Sequence, residues 1–449
     1  MSVVAEEIGR DVTTGHRARI HAAVAHAYEA IPFYKKRRPP AGGAIEGEPE
    51  TLPGLSLPLL WKQDIRIALP KEWVPEGRDV RAELASGDIE LVETSGSTAE
   101  RTRILWDKGW WLHQEERGMR TNALVDRAMG DARRYKEAIL TTPVCGLGAC
   151  HAGDLSFEER LDEHRVFLNV RADPTFWKPE DKDRMLDELA RHRTVGLESD
   201  PAYLAALARH ATARGRRLEV TDFVTLTYAM TSGAHLAAIR PALTAPCLQL
   251  YGASEVGVLF MEGDDGLLHH CPETTHVELL PVKATTPGAT EVAVVVVTTL
   301  DKTVQPLLRF VIGDLVQVAR SGPRRYTPVA PIRSLEGRFQ DALIRPDGAW
   351  VTAGSLDRAV GAVRGIQSYQ ANQANPSSVT IDIVPERDAT PTLLDEVRAR
   401  VATLLAPLEV TLRLSTGIAC EGSGKFRLSR RHFTVDLGTL FEDGAERTA

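Results

Sequence analysis

The chain has 449 residues, more than one hydrophobic core usually serves, and 43% of them are hydrophobic while 26% are charged. This composition excludes a largely disordered protein, and the formal net charge of -7 argues against a nucleic-acid partner, which needs a basic surface. The longest strongly apolar run, Val292 to Val297, is too short to span a membrane, and no signal peptide is recognisable, so we expect a cytoplasmic protein with no membrane partner.

The first hundred residues contain one predicted helix and one candidate ligand loop. Apolar residues at helical spacing predict a helix over residues 14–30, and a Pro/Gly-rich connector at 39–53 leads to a docking segment at 57–64 with another helix after it. Glu93-Thr94-Ser95-Gly96-Ser97-Thr98 then follows two apolar residues. Backbone amides and hydroxyls in such a turn can surround phosphate oxygens, although an ordinary surface turn has the same composition. It is not a Walker loop, because Ala99-Glu100-Arg101 follows.

The middle of the chain alternates strands and helices. A helix over 106–125 is expected to cover the loop, and further helices are expected over 181–193 and 201–214. Strands are expected over 138–142, 223–228 and 247–251, and each leads into a turn rich in small residues. This alternation predicts an α/β sheet with ligand-binding turns at its strand ends, while the turn at 143–148 is equally well explained as a simple tight turn.

The last third of the chain predicts a separate unit. A β-branched strand over 291–300 is followed by the segment 306–314 and by a polar break with glycine at 335–341. A strand over 378–384, a helix over 393–405 and a strand over 408–414 then form a compact α+β pattern. Domain-size reasoning places a hinge at residues 338–341.

The cysteines and histidines allow two interpretations. The five cysteines are an odd number without a secretion signal, so we expect reduced thiols. Cys247, His269, His270 and Cys271 could gather into a zinc site. The commoner alternative is buried cysteines beside a solvated histidine pair.

Taken in order, these motifs resemble the adenylate-forming superfamily of acyl-CoA ligases and adenylation domains, particularly its phenylacetate-CoA ligase-like branch. The motifs that carry the resemblance are Ile31-Pro32-Phe33-Tyr34-Lys35, Leu57-Pro58-Leu59-Leu60 with Lys62-Gln63-Asp64, the loop at 93–98, Tyr251-Gly252-Ala253-Ser254-Glu255, Gly266-Leu267-Leu268-His269, Leu308-Arg309-Phe310-Val311-Ile312-Gly313-Asp314, Gly337-Arg338 with Asp341, and Gly422-Ser423-Gly424-Lys425-Phe426-Arg427. The resemblance implies an α/β fold: a large adenylate-forming domain of mixed α/β sheets at residues 1–337, a hinge at 338–341 and a small mobile α+β lid domain at 342–449.

The resemblance also implies an activity. A small carboxylic acid, by our interpretation an aromatic or short-chain one, is activated by ATP and Mg²⁺ to an acyl-adenylate with release of pyrophosphate, and is then passed to a thiol, coenzyme A in this branch. Two alternatives stay open: an adenylation enzyme that loads an acyl carrier protein or an amine, and a degenerate acyltransferase or nucleotide-binding regulator. The acid, the acceptor and the oligomeric state are left undetermined, a homodimer being one option.

Site residues follow from the resemblance, motif by motif. Tyr251 would lie against adenine, Ser254 would approach the α-phosphate, Glu255 would help hold Mg²⁺ and take part in catalysis, and Lys425 would bridge the acyl carboxylate and the α-phosphate. The expected nucleotide-binding set is Thr94, Ser95, Gly96, Ser97, Thr98, Ser232, Gly233, Ala234, Tyr251, Gly252, Ser254, Asp314 and Arg338. Asp314 would accept both ribose hydroxyls, as a carboxylate can, and Arg338 would touch ribose or phosphate. The simpler alternatives are a helix-terminal acid, a capping carboxylate, a surface salt bridge and an exposed lysine.

Two departures from the family pattern qualify the resemblance. The loop has Ala99, Glu100 and Arg101 where the family has glycine, lysine and proline, so contacts to the outer phosphates would weaken or come from Arg101 or Arg103. Gln340 occupies the usual hinge carboxylate position, and Asp341 follows it. The acyl pocket is expected between residues 143–151 and 232–235, where Cys145 lacks an evident base that would make it a nucleophile.

Overall fold

The computed structural model describes residues 3–37, 45–46, 54–55, 57–67, 69–93, 102–130, 135–142, 144–145, 148–149, 153–169, 171, 173–282, 291–319 and 329–435. Within these ranges, no helix combines the length and the apolar character that a membrane crossing needs. The described helices are α1 (Val3–Ala30), α2 (Pro32–Lys35), α3 (Val80–Ser86), α4 (Trp110–Met119), α5 (Ala123–Met129), α6 (Pro179–His192), α7 (Pro201–Ala213), α8 (Gly233–Ile239), α9 (Ala353–Val360) and α10 (Leu393–Leu405). Short 3₁₀ turns lie at Asp64–Arg66, Glu158–Arg160, Pro174–Phe176 and Arg240–Ala242.

The strands are mostly short and belong to one large sheet and several small ones. They are β1 (Ile45–Glu46), β2 (Gly54–Leu55), β3 (Ile89–Glu93), β4 (Arg103–Asp107), β5 (Glu137–Leu140), β6 (Val144–Cys145), β7 (Gly148–Ala149), β8 (Leu161–Asp162), β9 (Arg165–Phe167), β10 (Gly196–Ser199), β11 (Phe223–Leu226), β12 (Cys247–Ala253), β13 (Gly257–Glu262), β14 (Leu268–His270), β15 (Thr275–Pro281), β16 (Val292–Thr299), β17 (Phe310–Val318), β18 (Ile332–Arg338), β19 (Leu343–Ile344), β20 (Trp350–Val351), β21 (Ile366–Asn375), β22 (Ser378–Pro385), β23 (Glu409–Leu414) and β24 (Ser429–Arg431).

The large sheet has twelve strands in the order β15-β16-β17-β18-β14-β13-β12-β11-β10-β5-β9-β8. β9, β5, β10, β11 and β12 run parallel to one another. The strands from β12 through β13 and β14 to β15 pair antiparallel, as does β8 with β9. The mixed α/β class is therefore confirmed. Since parallel strands end at the same edge, the turns after β11 and β12 lie side by side, as open α/β sheets require for a ligand site.

Burial explains the uniform character of the central strands. All eight residues of β16 are buried, because this strand lies between two neighbours and is covered on both faces, so its sequence does not alternate. One core packs β15, β16 and β17 with β3, β4 and α1. In a second core, helices α6 and α7 pack their apolar residues with β5, β10 and β11. The two cores fix the part of the sheet from which the site turns emerge.

Two sequence predictions for local structure were wrong. The expected helix over 106–125 is divided: Trp106 lies in β4, Gly109 adopts a left-handed φ of 69°, and α4 and α5 are separated at Asn122, whose side chain caps α5. The polar break expected at 335–341 is β18 as far as Arg338, paired with β17 through Asp314 and Arg338. Strand pairing outweighs the local polar composition there.

The C-terminal part of the described chain builds its own core. Strands β23-β22-β21-β24 form a four-stranded sheet, and Leu356 of α9 and Val397 of α10 are among its fully buried neighbours. The predicted helix at 393–405 is confirmed, while α9 and β21 were not anticipated. This core lies in the part of the chain after residues 338–341. The domain boundary placed there from the sequence stays a prediction, and so does the motion of the lid.

Candidate functional site

One cavity gathers side chains from distant parts of the chain. It opens where the turns after β11 and β12 meet β17, β18 and a loop between β23 and β24. The residues from the predicted site that line it are Tyr251, Gly252, Ser254, Glu255, Asp314, Arg338 and Lys425. Thr94, Ser95, Gly96, Ser97 and Thr98 connect β3 to β4 and lie outside the described residues, so their assignment to phosphate binding stays a prediction.

Tyr251, Asp314 and Arg338 form a hydrogen-bonded group on one wall of the cavity. The Tyr251 hydroxyl donates to Asp314 Oδ2 at 2.8 Å, and Arg338 Nε lies 3.3 Å from Asp314 Oδ1. Asp314 and Arg338 are cross-strand partners in β17 and β18, and the Tyr251 ring is stacked with Phe260 at 6.1 Å between centroids. Because all three side chains originate in paired strands, the carboxylate of Asp314 is held in place with both oxygens accepting.

The turn between β12 and β13 presents Ser254 and Glu255 to the cavity. Gly252 is required by close packing, since a Cβ there would lie 2.7 Å from the carbonyl oxygen of Gly257. Trp106 Nε1 donates to the Ser254 carbonyl at 2.8 Å, and Lys302 Nζ donates to the Glu255 carbonyl at 3.2 Å. Hydrogen bonds from other elements therefore fix the turn, and they engage the carbonyl oxygens of Ser254 and Glu255.

Glu255 is a buried carboxylate with a cationic partner. Lys62 Nζ lies 3.1 Å from Glu255 Oε1, and the Glu255 side chain is 6% exposed. Burial opposes ionisation, but the charge and hydrogen bond of Lys62, with a smaller contribution from Arg338, hold the pKa of Glu255 below its ordinary value. Glu255 is thus an anion within the cavity at neutral pH.

The donor set around Glu255 fits a Mg²⁺ ion held jointly with a nucleotide. Mg²⁺ commonly takes one or two protein carboxylates and completes its shell with phosphate oxygens and water. Within the described ranges, no group of three His, Cys, Asp or Glu side chains could hold a metal by itself. Glu255, an anionic carboxylate that lines the cavity, would be the protein ligand of a metal brought in by a polyphosphate.

Lys425 is carried into the cavity by a tight loop. Gly424 has a φ of 79°, and its carbonyl accepts a 3.1 Å hydrogen bond from the hydroxyl of Tyr203 in α7. A Cβ at Gly424 would lie 2.7 Å from both the Tyr203 hydroxyl and Thr142 Oγ1. The backbone conformation and this close approach both require glycine, which is why the Gly-Lys sequence can bring Lys425 beside the turn after β12.

The Lys425 ammonium is surrounded by charges of both signs. Burial and the nearby Arg338 lower its pKa to about 8, although Asp200, Glu255 and Asp314 favour the charged form. Burial in turn raises the pKa of Asp200 to about 6. Lys425 is therefore largely protonated at neutral pH and has lost part of its hydration, which strengthens its attraction for an incoming anion.

The segment proposed as hinge is tied to the same loop. Asp341 Oδ1 accepts a 2.6 Å hydrogen bond from Arg427, and the Asp341 carbonyl accepts from Ser429 at 2.8 Å. Gly337 has a φ of 85°, and a Cβ there would lie 2.7 Å from the Ala353 Cβ. Asp341, the residue after the usual hinge position, is thus the carboxylate that contacts the lysine-bearing loop.

Ser232, Gly233 and Ala234 are placed away from this cavity. Ser232 caps α8, and the Gly233 amide donates to Asp357 Oδ2 of α9 at 2.8 Å. Ser232 lines a different cavity, between α7 and the C-terminal sheet. These three residues do not line the cavity with the other predicted nucleotide-binding residues. β11 ends at Leu226, and residues 227–230, directly after it, are the part of the turn that lines the cavity. Most of the other expected acyl-pocket segment, 143–151, lies outside the described residues.

Sequence reasoning missed several residues that line the cavity. Thr227, Tyr228, Ala229 and Met230 line the cavity directly after β11. Tyr228 has a φ of 69°, unusual for an aromatic residue, and its hydroxyl donates to buried Glu198, whose pKa is raised by burial and by Glu115. Lys62 was recognised only as part of a motif. The signal available in the sequence was position in both cases. Tyr228 lies at the end of a predicted strand, and Lys62 lies in a segment that resembles the family.

The predicted zinc ligands do not converge. His269 pairs with Asp265, His270 packs against His16 and Phe260, and the Cys271 thiol donates to the Gly118 carbonyl. Cys247, Cys271 and Cys420 are free thiols among the described residues, and burial raises the pKa of the first two to about 12. Cys271 and Cys247 pack in or against apolar cores, and the Cys420 thiol donates to Asp173 Oδ2.

Comparison with known proteins identifies the architecture. No family model matches the sequence, and a search of curated proteins finds no significant match. Among solved structures, 2-hydroxyisobutyryl-CoA ligase in its postadenylation state, in complex with 2-HIB-AMP, is similar with a TM-score of 0.64 at 16% identity, over 95% of this chain and 90% of that one. The amide bond synthetase McbA from Marinactinospora thermotolerans gives 0.51 at 16% identity over 73% and 66%. ATP-bound MatB from Rhodopseudomonas palustris gives 0.50 at 14% identity over 74% and 65%. The chain therefore has the fold of the adenylate-forming enzymes.

Proposed function

We propose that the protein activates a carboxylic acid with ATP, forming an acyl-adenylate and pyrophosphate, and then transfers the acyl group to a thiol, with coenzyme A as the first acceptor to test. The observation that carries the proposal is the convergence of Tyr251, Glu255, Asp314, Arg338 and Lys425 on one cavity from four separate segments. The fold shared with 2-hydroxyisobutyryl-CoA ligase, MatB and McbA supports it.

The arrangement suits a reaction that depends on positioning and charge. Attack of a carboxylate on the α-phosphorus of ATP needs no protein nucleophile, but it brings two anions together and builds negative charge. In the proposal, Asp314 binds the ribose hydroxyls and Tyr251 lies against the adenine. Lys425 donates to the carboxylate and the α-phosphate, and Arg338 adds a second cation. Fixed cations in a partly dehydrated cavity stabilise that charge more strongly than water does.

Glu255 would hold Mg²⁺ together with the phosphates, and the metal would neutralise charge on the departing pyrophosphate. The remaining work falls to residues of the chain. Lys302 and Trp106 fix the backbone of the turn, so that Glu255 and Ser254 are presented to the phosphates without further ordering.

For the second half-reaction we propose a rotation of the lid about residues 338–341. The present arrangement is more similar to the postadenylation state of 2-hydroxyisobutyryl-CoA ligase, with a TM-score of 0.64, than to its open conformation, with 0.53. The two structures are 16–17% identical in sequence to this chain, so the two TM-scores compare the arrangement of the fold alone. With Lys425 inside the cavity, the orientation described here suits adenylation, and thiol transfer would follow once the lysine-bearing loop has left.

The class of acid is left to experiment. The expectation of an aromatic or short-chain acid depended on small residues at 143–151 and 232–235. Ser232 and Gly233 instead lie at the contact with α9. Tyr228, Ala229 and Met230 become the side chains that we propose to test as selectors of the acid.

The deciding experiment is acid-dependent exchange of labelled pyrophosphate into ATP, without coenzyme A, across aryl, arylacetic, amino and short fatty acids. We expect exchange with one class, and a decrease of about 10²-fold or more in Lys425→Ala because a cation is lost where charge develops. Lys108→Ala, at an exposed lysine outside the cavity, is the matched control. Absence of exchange with every acid, while ATP still binds, would favour the degenerate transferase or regulator. Undiminished exchange in Lys425→Ala would remove the role of that lysine.

A further inference from the structure

Lys62 lies in the cavity without a role in the mechanism described so far. Its side chain is 28% exposed, lines the cavity, and has its ammonium 3.1 Å from Glu255 Oε1. Glu255 is the residue to which we assign the metal of the bound nucleotide. The Lys62 ammonium therefore lies where a metal ion that binds Glu255 would approach.

The backbone of Lys62 is fixed although its side chain is long. Leu60 forms a parallel bridge with Phe310 of β17, with its amide donating to the Arg309 carbonyl at 3.0 Å and its carbonyl accepting from Val311 at 2.8 Å. The Trp61 amide donates to the Asp64 side chain at 2.8 Å. The segment is thus attached to the strand that carries Asp314, and only the side chain of Lys62 is free to change its contact.

The other cations of the cavity already have positions. Arg338 contacts Asp314, on the wall assigned to ribose. Arg427 forms ion pairs with Asp341 and Glu421. Lys425 is assigned to the acyl carboxylate and the α-phosphate. Of the described lysines and arginines that line the cavity, Lys62 is the one next to the metal-binding carboxylate, where the outer phosphates of a magnesium nucleotide would lie.

We propose that Lys62 binds the outer phosphates of ATP, and that it exchanges Glu255 for those phosphates when the magnesium nucleotide enters. This inference rests on the proposed function. In the free protein the ammonium compensates the buried carboxylate of Glu255. A divalent cation arriving at Glu255 repels the ammonium, and the adjacent phosphate oxygens attract it. A point charge on a four-carbon stem can make this change without backbone motion.

The assignment also accounts for the sequence of the loop at 94–101. That loop ends in Ala99-Glu100-Arg101 and contains no lysine. A lysine contributed by a different segment would supply the cation that the outer phosphates need. The compensation is electrostatic, so it depends on distance from the phosphates and not on which segment carries the charge.

The test compares two nucleotides that differ in the outer phosphates, by calorimetric titration of the full chain with ATP plus Mg²⁺ and with AMP. Lys62→Met should weaken binding of magnesium ATP by about tenfold or more, the effect of losing a charge-assisted hydrogen bond, and leave AMP binding within about twofold. Lys62→Arg should restore most of the magnesium ATP affinity. Lys108→Met is the surface control.

Equal weakening of ATP and AMP would overturn the proposal, because it would mean that Lys62 only supports the turn at Glu255. Unchanged binding of both nucleotides in Lys62→Met would overturn it as well. A wild-type protein that binds magnesium ATP but shows no acid-dependent exchange would contradict the proposed function and leave the Lys62 result readable on its own. Thermal unfolding of each variant establishes that it is folded.

Discussion

At the scale of single residues, the cavity works by placing charged groups where water is scarce. Glu255 keeps a low pKa despite its burial because Lys62 is adjacent, whereas Lys425 has a lowered pKa because burial and Arg338 outweigh its three acidic neighbours. The two shifts act in opposite directions on charge, since a lowered pKa favours the anion of Glu255 and disfavours the cation of Lys425. Both groups are charged at neutral pH, Lys425 by a margin small enough to be measured.

The pKa of Lys425 predicts a pH profile. Below about 8 the lysine is charged, and as the pH rises through about 8 it loses the proton that binds the carboxylate and α-phosphate, so the rate should fall. We expect kcat/KM for pyrophosphate exchange, which reports the free enzyme, to decrease above about pH 8. Lys425→Arg should be slower but flat over the same range, because arginine keeps its proton. A wild-type profile that stays flat to about pH 10 would contradict this assignment.

At the scale of elements, contacts with α7 and α8 hold the C-terminal unit that contains α9, α10 and the four-stranded sheet. The Gly233 amide donates to Asp357, which also accepts from the Tyr369 hydroxyl at 3.1 Å. Arg209 of α7 forms an ion pair with Glu386 at 2.6 Å and donates to the Gln367 carbonyl at 2.9 Å. Arg209, Gln367 and Glu386 line the second cavity, which Phe426, the residue after Lys425, also lines.

Gly233→Ala should weaken this docking. Its Cβ would lie 2.9 Å from the Gly361 carbonyl, so α8 and α9 must separate, at the cost expected for overpacking. In the proposed mechanism, pyrophosphate exchange then falls by about tenfold, while thiol transfer from pre-formed acyl-adenylate changes little, because only the first step uses this arrangement. Gly15→Ala, where a Cβ meets nothing within 4 Å, is the control. An equal decrease in both half-reactions would show that the contact serves folding and not lid orientation.

At the scale of the whole molecule, helix α1 is joined to the large sheet through a group of histidines. His16 of α1 lies beside His270 of β14 and His276 of β15, with ring centroids 6.2 and 5.6 Å away. Burial and the neighbouring histidine charges lower the pKa of His270 to about 3, and burial, His16 and Arg309 do the same for His276. The folded protein therefore keeps these rings neutral at pH values where the unfolded chain protonates them.

Stability should consequently decrease as the pH falls below about 6.5, because the unfolded state binds more protons between that pH and about 3. Each such histidine contributes up to about 1.4 kcal/mol per pH unit. We expect His276→Leu to lose less free energy of unfolding than the wild type between about pH 7 and pH 5, as measured by urea titration. The same loss in both proteins would mean that His276 is accessible to protons when folded.

The sequence by itself determined several of the longer elements of the fold. Short-range periodicity, with proline and glycine at element ends, predicts these elements because its signals act within a few residues. They are the helices over 181–193, 201–214 and 393–405 and the strands over 223–228, 247–251 and 291–300. Motif order likewise identified Tyr251, Asp314, Arg338 and Lys425, which the structure brings to one cavity. Their roles in binding and catalysis stay predictions.

Only the tertiary structure decided which neighbours these motifs have. Trp106 pairs in β4 because β3 lies beside it, residues 335–337 form a strand because β17 is their partner, and the Gly233 amide donates to Asp357 of α9. The left-handed φ of Tyr228 and the Lys62–Glu255 contact depend on segments far apart in the chain. Local patterns determine the backbone of an element, whereas charge pairs and close approaches depend on long-range packing, which no short stretch of sequence specifies.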